Sequence, residues 1–268
     1  MSDVSEEKRV EVSIEGGVAH VEMNRGSKRN GLDMDMFDAM IETGTSLAAR
    51  NDVRAIVLSG RGPAFCAGLD FQAIMSDPKA MKRLLSRDDS AANIAQRVAY
   101  VWREVEVPVI AAIHGPCFGG GLQIALAADI RFGSPDARLS VMEIEWGLIP
   151  DMSITQTLLR LVRPDVAKEL TFTGRIVDAP EALALGLLTQ LSDDPVEAAK
   201  LCAKQIAARS PQAIRETKRL YDQAPFLNAA DALALETELQ LKILGTPNQL
   251  AAVQARMLRK TATFRDPE

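Results

Sequence analysis

Residues 113–123 read IHGPCFGGGLQ, and this stretch decides how the fold is interpreted. An apolar strand at 109–113 leads into it, and an apolar helix predicted to end near Ala128 follows, so the triple glycine lies at a strand-to-helix turn. Glycine carries no side chain to block approach to its backbone N–H group. N–H groups at a helix N-terminus stabilise negative charge on an oxygen. The stretch therefore predicts an oxyanion site.

Two carboxylates follow this stretch at spacings that suggest proton transfer. Glu143 comes twenty residues after Gln123, and Asp151 comes eight residues later. A lone carboxylate in an apolar context, such as Glu143, has a raised pKa and can act as acid or base. Asp151 precedes Met152 at the start of a predicted helix, so both a catalytic role and an N-cap role remain open for it. Together with the oxyanion site, these residues indicate enolate chemistry.

A second glycine-bearing turn, AFCAGLD at 64–70, follows the apolar strand at 55–58. The backbone N–H of Leu69 has no intrahelical partner there, like that of Gly120. Two such groups brought together form an oxyanion hole for a carbonyl that becomes an enolate. Asp70 is interpreted first as the cap of a helix that starts at Phe71.

Composition excludes several classes of protein. The chain has 268 residues, 47% hydrophobic content and a net charge of −5 without a basic block, which argues against nucleic-acid binding. The N-terminal residues lack the apolar core of a signal peptide, and no apolar run approaches the ~20 residues of a membrane span. The three cysteines lack metal-ligand spacing and indicate reduced thiols in a cytoplasmic protein: Cys66, Cys117 and Cys202. With two histidines, no metal site is expected.

The order of predicted elements indicates an α/β fold. A β-hairpin at 10–14 and 19–23 is followed by strands and helices in alternation, with a charged, loop-rich stretch at 76–90. After about residue 191 the pattern changes to four apolar helices, at 195–208, 211–222, 228–244 and 247–260. Such a helical region packs on another subunit or on its own chain, and the sequence leaves both alternatives open.

The ordered set of motifs strongly resembles the enoyl-CoA hydratase/isomerase (crotonase) superfamily. The set comprises NRGSKRNGL at 24–32, the AFCAGLD turn, the HGPCFGGG loop, EIEWGLIP at 143–150, TGR at 173–175 and ALALGL at 182–187. The resemblance implies a crotonase-type spiral of ββα units over residues 1–190 that holds the acyl-CoA site. It also implies a helical trimerisation region over residues 191–268, and thus a homotrimer or a dimer of trimers. Coenzyme A would be part of the substrate, with no separate cofactor.

Residue roles also follow from the resemblance. The thioester oxygen would lie between the amides of Leu69 and Gly120, with Glu143 and Asp151 as catalytic residues. The residues expected to bind substrate are Lys28, Arg29, Ala67, Gly68, Asp70, Gly121, Gln123, Trp146 and Arg259. Of these, Lys28, Arg29 and Arg259, with Lys260, would contact coenzyme A.

Departures from the family pattern distinguish its branches. Typical hydratases carry Glu at the position of Gln123, and an amide cannot exchange a proton as a carboxylic acid does. Glu143, Gly147 and Asp151 resemble the dienoyl-CoA isomerase branch, although that branch has Asp where Gln123 stands. A dehalogenase branch shares Asp151 but has Trp in place of Glu143.

These features favour double-bond isomerisation of an enoyl- or dienoyl-CoA. One alternative is a trans-2-enoyl-CoA hydratase with Glu143 as the main acid and base. The other is a catalytically degenerate acyl-CoA-binding protein that keeps the pocket. Two carboxylates remain, while the first hydratase carboxylate is replaced by Gln123.

Overall fold

The computed structural model describes residues 8–87 and 90–267. The strands of these ranges are β1 (Val10–Glu15), β2 (Val18–Met23), β3 (Ala55–Gly60), β4 (Val109–Ile113), β5 (Pro116–Phe118), β6 (Ile130–Gly133), β7 (Arg138–Ser140), β8 (Val177–Asp178) and β9 (Gln190–Leu191). The helices are α1 (Met34–Ala48), α2 (Phe71–Ser76), α3 (Ala80–Leu84), α4 (Ile94–Glu104), α5 (Gly120–Ala127), α6 (Leu158–Leu161), α7 (Pro164–Thr173), α8 (Ala179–Leu185), α9 (Pro195–Ala207), α10 (Pro211–Gln223), α11 (Ala229–Ile243) and α12 (Pro247–Met257).

The strands form two sheets that share the chain in alternation. The larger sheet has the order β1-β2-β3-β4-β6-β9. In this sheet β1 is antiparallel to β2, and every other pair of adjacent strands is parallel. The smaller sheet has the order β5-β7-β8. The chain passes from β4 to β5 and from β6 to β7, so each pair of consecutive strands divides between the sheets. The predicted α/β fold of ββα units is confirmed.

Both faces of the larger sheet are covered. In β3, Ile56 and Leu58 belong to the main core with α1, α4 and α5, whereas Val57 belongs to a second cluster with Ala199 and Ala203 of α9. This alternation follows from the two-residue period of a strand. For α9, the alternative of packing on its own chain therefore holds.

The last two helices leave large apolar side chains in contact with solvent. The side chains exposed by more than half are Leu233 and Leu241 of α11, and Leu250 and Met257 of α12. The predicted assembly into trimers stays a prediction that these exposed side chains favour.

Two expectations for local structure need correction. The stretch at 76–90 contains α3, whose Ala80 and Leu84 are buried against the core while Lys82 and Arg83 face solvent. The charged residues dominate the sequence and conceal this short amphipathic turn; positions 88 and 89 lie outside the described residues. The helix predicted at 91–104 begins at Ile94, because Asn93 and Gln96 form a capping box. In the described ranges, no helix combines the length and apolar character needed to cross a bilayer.

Candidate active site

Two loops at the carboxyl ends of β3 and β4 run side by side and build the site. The backbones of Cys66 and Cys117 pair as an isolated parallel β-bridge. Phe65 N–H donates to the His114 carbonyl and Phe118 N–H to the Cys66 carbonyl, at 2.9 and 3.0 Å. Leu69 and Gly120 each follow their bridge residue by three positions, so the pairing brings the two predicted oxyanion residues together.

The backbone of both loops requires glycine beside the two predicted oxyanion amides. Gly68 has φ +90° and Gly119 has φ +50°, and a Cβ added at Gly68 would lie 2.8 Å from the Phe118 carbonyl oxygen. As the first residue of α5, Gly120 has an N–H group without an intrahelical acceptor. The backbone hydrogen bonds around Leu69 are made by the residues on either side of it. The Leu32 N–H donates to the Gly68 carbonyl, and the Asp70 N–H donates to the Leu32 carbonyl. Both amides thus remain available to a ligand oxygen.

A cavity of about 270 Å³ adjoins these amides. It is lined by Leu69, Gly120, Glu143 and Asp151, and by the predicted substrate contacts Ala67, Gly68 and Trp146. The rest of its wall is apolar: Phe37, Phe71, Met81, Leu84, Leu85, Ala95, Phe118, Met142, Leu148, Ile149 and Met152, with Gly119. Trp146 stacks on Phe71 with ring centroids 4.1 Å apart. The structure therefore gathers both predicted oxyanion residues and both predicted catalytic carboxylates around one apolar cavity.

Larger surface depressions, of about 400 and 550 Å³, lie elsewhere. Both are lined by charged side chains that include Arg103 and Asp222, which are paired in a salt bridge. Neither contains an oxyanion amide or one of the two carboxylates. We therefore assign the candidate site to the smaller apolar cavity, because the two predicted oxyanion residues and the two predicted catalytic carboxylates line it.

Glu143 lies in a 3₁₀ turn, Glu143–Trp146, at the cavity wall. Its Oε1 accepts from Gln123 Nε2 at 2.6 Å, and within the described chain its buried Oε2 has no hydrogen-bond partner. Burial raises the pKa of Glu143, and the charge of Asp151 raises it further, against the lowering effect of the Gln123 bond. A Cβ added at Gly119 would lie 3.3 Å from Oε1, so this glycine also makes room for the carboxylate.

Asp151 faces the same cavity from the loop that follows. The residue as a whole is exposed, but partial burial of its carboxyl group at the cavity raises the pKa of that group. The next helical turn, Ile154–Gln156, has Ser153 at its N-cap position and no side-chain capping bond. The alternative that Asp151 is a helix cap is therefore wrong, and its carboxylate is left for the cavity.

Three residues expected to bind substrate have structural contacts instead of a place on the cavity wall. Gln123 is 1% exposed and bridges Glu143 Oε1 and the Met152 N–H. A Cβ added at Gly121 would lie 2.3 Å from the Cys66 carbonyl oxygen, so Gly121 permits close packing of α5. Asp70 caps α2 through the Ala73 N–H, as expected. These three positions support the loops from behind.

The Asp70 carboxylate also accepts a hydrogen bond from Nη1 of Arg25, at 2.8 Å. Burial opposes its ionised form, yet the Ala73 N–H and Arg25 together hold the pKa of Asp70 below its ordinary value. Arg25 also donates to the Gly31 carbonyl, and so braces the turn that carries Leu69. Sequence reasoning missed this role of Arg25, although the residue lies in the NRGSKRNGL motif.

The basic residues expected to contact coenzyme A lie at the surface, outside the cavity wall. Lys28 is the last residue of a 3₁₀ turn and Arg29 follows it; both are exposed, and the Arg29 carbonyl accepts from Ala67 N–H at 2.9 Å. Arg259 is exposed just after α12. Their contacts with coenzyme A stay predictions.

Burial raises the pKa of the Cys66 thiol to about 12, so this cysteine is an unreactive core residue.

Comparisons with known proteins agree with this geometry. The profile of the enoyl-CoA hydratase/isomerase family matches residues 13–265. The mitochondrial Delta(3,5)-Delta(2,4)-dienoyl-CoA isomerase of Homo sapiens is 31% identical over 271 residues, covering 94% of this chain and 80% of that protein. The short-chain-enoyl-CoA hydratase of Clostridium acetobutylicum is 32% identical over 244 residues, covering 90% and 91%. A crystal structure of an enoyl-CoA hydratase from Bacillus anthracis superposes with a TM-score of 0.88 at 26% identity, covering 96% of this chain and 98% of that one.

Proposed function

Because the chain belongs to the enoyl-CoA hydratase/isomerase family, whose members are enzymes that act on acyl-CoA, we propose that it moves a double bond along an enoyl- or dienoyl-CoA thioester. The observation that carries the proposal is the pairing of Glu143 with Asp151 at one cavity. Both have a raised pKa, and both line the cavity that Leu69 and Gly120 also line.

The chemistry begins at the thioester carbonyl. Its oxygen would accept hydrogen bonds from the Leu69 and Gly120 N–H groups, which stabilise the negative charge that forms when a proton leaves the conjugated chain. One carboxylate takes that proton from carbon, and the other returns a proton at the far end of the delocalised system. The substrate keeps its atom count, and the double bond of an enoyl chain, or both double bonds of a conjugated dienoyl chain, move by one position.

Two carboxylates with raised pKa suit this exchange better than one. A general acid or base works best when its pKa approaches the working pH. Burial first, and then the charge of Asp151, raise the pKa of Glu143 and bring this carboxyl group closer to that condition. Water addition in typical members also uses the carboxylate that Gln123 replaces here, and Gln123 does not line the cavity.

The apolar wall supports an apolar acyl chain. Met81, Leu84 and Leu85 of the α3 region line the cavity together with Leu148 and Ile149. No charged group other than Glu143 and Asp151 lines this cavity within the described chain. An acyl tail without charge would fit these surroundings.

A second candidate function is hydration of a trans-2-enoyl-CoA with Glu143 as the main acid and base. The similarity to a short-chain-enoyl-CoA hydratase, at 32% identity, favours keeping it. The third alternative, an acyl-CoA-binding protein without catalysis, is disfavoured because two carboxylates with raised pKa face the cavity. Assay of the purified protein with a 3,5-dienoyl-CoA and a 2-enoyl-CoA separates all three, by a 2,4-dienoyl product conjugated with the thioester carbonyl, a hydrated product or neither.

We also propose assembly into a homotrimer or a dimer of trimers through the C-terminal helices. The exposed apolar side chains of α11 and α12 support it, because such surface is seldom left open to water. A cytoplasmic location stays a prediction, since relatives include proteins named as mitochondrial and peroxisomal.

A further inference from the structure

Gln123 occupies the first turn of α5 and is enclosed by protein. Its Nε2 donates to Glu143 Oε1 at 2.6 Å, and its Oε1 accepts from the Met152 N–H at 2.9 Å. The amide therefore contacts one catalytic carboxylate directly. It also holds the backbone of the residue that follows the other, Asp151.

The orientation of the Gln123 amide is fixed by these partners. A backbone N–H can only donate, so the amide oxygen must face Met152 and the NH₂ group must face Glu143. Since the NH₂ group offers only donors, Glu143 Oε1 must act as an acceptor in this contact. A proton on Glu143 then lies on Oε2, the oxygen that has no partner among the described residues.

We propose that Gln123 is a positioning residue for proton transfer: it reserves Oε2 of Glu143 for the substrate and holds the backbone beside Asp151 in place. This inference rests on the proposed function, because it takes Glu143 and Asp151 as the groups that exchange the proton. Gln123 itself does not touch the reacting atoms.

A carboxylate at position 123 would reverse the effect that the Gln123 amide has on Glu143. Glutamate at 123 keeps an acceptor for the Met152 N–H but turns a second oxygen toward Glu143 Oε1. Two carboxylate oxygens this close share a proton instead of both ionising, and the pKa of Glu143 rises. The field of Asp151 already raises the pKa of Glu143, and a negative charge at position 123 would add to that effect.

The test is a titration of Glu143 in the intact protein by ¹³C NMR of its labelled carboxyl carbon. The Glu143→Gln variant assigns the resonance. In Gln123→Glu we expect the apparent pKa of Glu143 to rise by at least about one unit. The matched control is Gln156→Glu, which adds the same charge outside the cavity wall, at a side chain whose partner is Thr155. An equal titration in both variants would overturn the proposal.

A second variant measures positioning without new charge. Gln123→Leu removes both hydrogen bonds, and we expect kcat for isomerisation to fall about 10²-fold with little change in KM, as misplaced catalytic groups do. Wild-type kcat in folded Gln123→Leu would contradict the proposal. The two proposals can fail separately. If the Glu143 titration shifts in Gln123→Glu but the wild-type protein isomerises no thioester, the result supports the control of Glu143 by Gln123 and contradicts the proposed function.

Discussion

Glu143 and Asp151 line the same cavity, and the negative charge of Asp151 raises the pKa of Glu143. Burial is the larger cause of the raised pKa at both carboxyl groups, and the field of Asp151 adds to it at Glu143. The pH dependence of activity and the effect of Asp151→Asn both follow from this relationship.

The first prediction concerns pH dependence. The pKa of Glu143 lies above its ordinary value of 4.5, so activity that needs ionised Glu143 is lost as pH falls through this raised value. Asp151→Asn removes the neighbouring negative charge, which lowers the pKa of Glu143 and moves that limb of the profile to lower pH. The pH dependence of residual kcat/KM measures the shift. A limb at unchanged pH would show that the pair is not coupled.

The oxyanion amides are tested by substitution at Gly120. A Cβ there would lie 2.6 Å from Met152 Sδ and 2.9 Å from Leu32 Cδ1, both ends of flexible side chains. We therefore expect Gly120→Ala to fold and to lose activity by up to about 10²-fold, as when an oxyanion donor is displaced. Gly121→Ala is the contrasting variant, since its Cβ would lie 2.3 Å from the Cys66 carbonyl oxygen and should lower stability. Thermal unfolding and kcat together separate the two effects, and full activity of folded Gly120→Ala would contradict the oxyanion assignment.

The loop behind the site depends on a buried asparagine. Asn30 Nδ2 lies within hydrogen-bond distance of three carbonyls, those of Arg61, Ala64 and Phe65, and Oδ1 accepts from Arg25 N–H. Asn30→Ala would leave these groups unpaired and should lower the free energy of unfolding by about 3 kcal/mol.

Denaturant unfolding measures this loss for Asn30→Ala. Asn30→Gly is the control that keeps the positive φ of +53° accessible, so the difference between the variants gives the backbone contribution. Unchanged stability in both would show that the hydrogen bonds do not hold the loop.

Assembly is tested by the mass in solution. We expect light scattering to give three or six times the 29.1 kDa of the chain. A double variant, Leu241→Asp with Leu250→Asp, should shift the mass toward the monomer because both side chains are exposed by more than half. A wild-type monomer at micromolar concentration would contradict the trimer proposal.

The sequence predicted the α/β class and the two glycine loops that carry Leu69 and Gly120, because glycine turns after apolar strands are local signals. It did not predict the short strands β5, β7, β8 and β9, whose two or three residues carry too little periodicity. The place of Gln123 also depended on distant contacts. Its partners Glu143 and Met152 lie 20 and 29 residues away, so only the folded chain shows that the amide faces them and does not line the cavity.

The central claim is that Glu143 and Asp151 together move a double bond. The most direct test compares wild type, Glu143→Gln and Asp151→Asn on a 3,5-dienoyl-CoA and on a crotonyl-type 2-enoyl-CoA. We predict faster isomerisation than hydration by wild type, no isomerisation by Glu143→Gln, and a loss of at least ~10²-fold in Asp151→Asn. Fast hydration that is insensitive to Asp151→Asn would contradict the account and assign the chemistry to Glu143 alone.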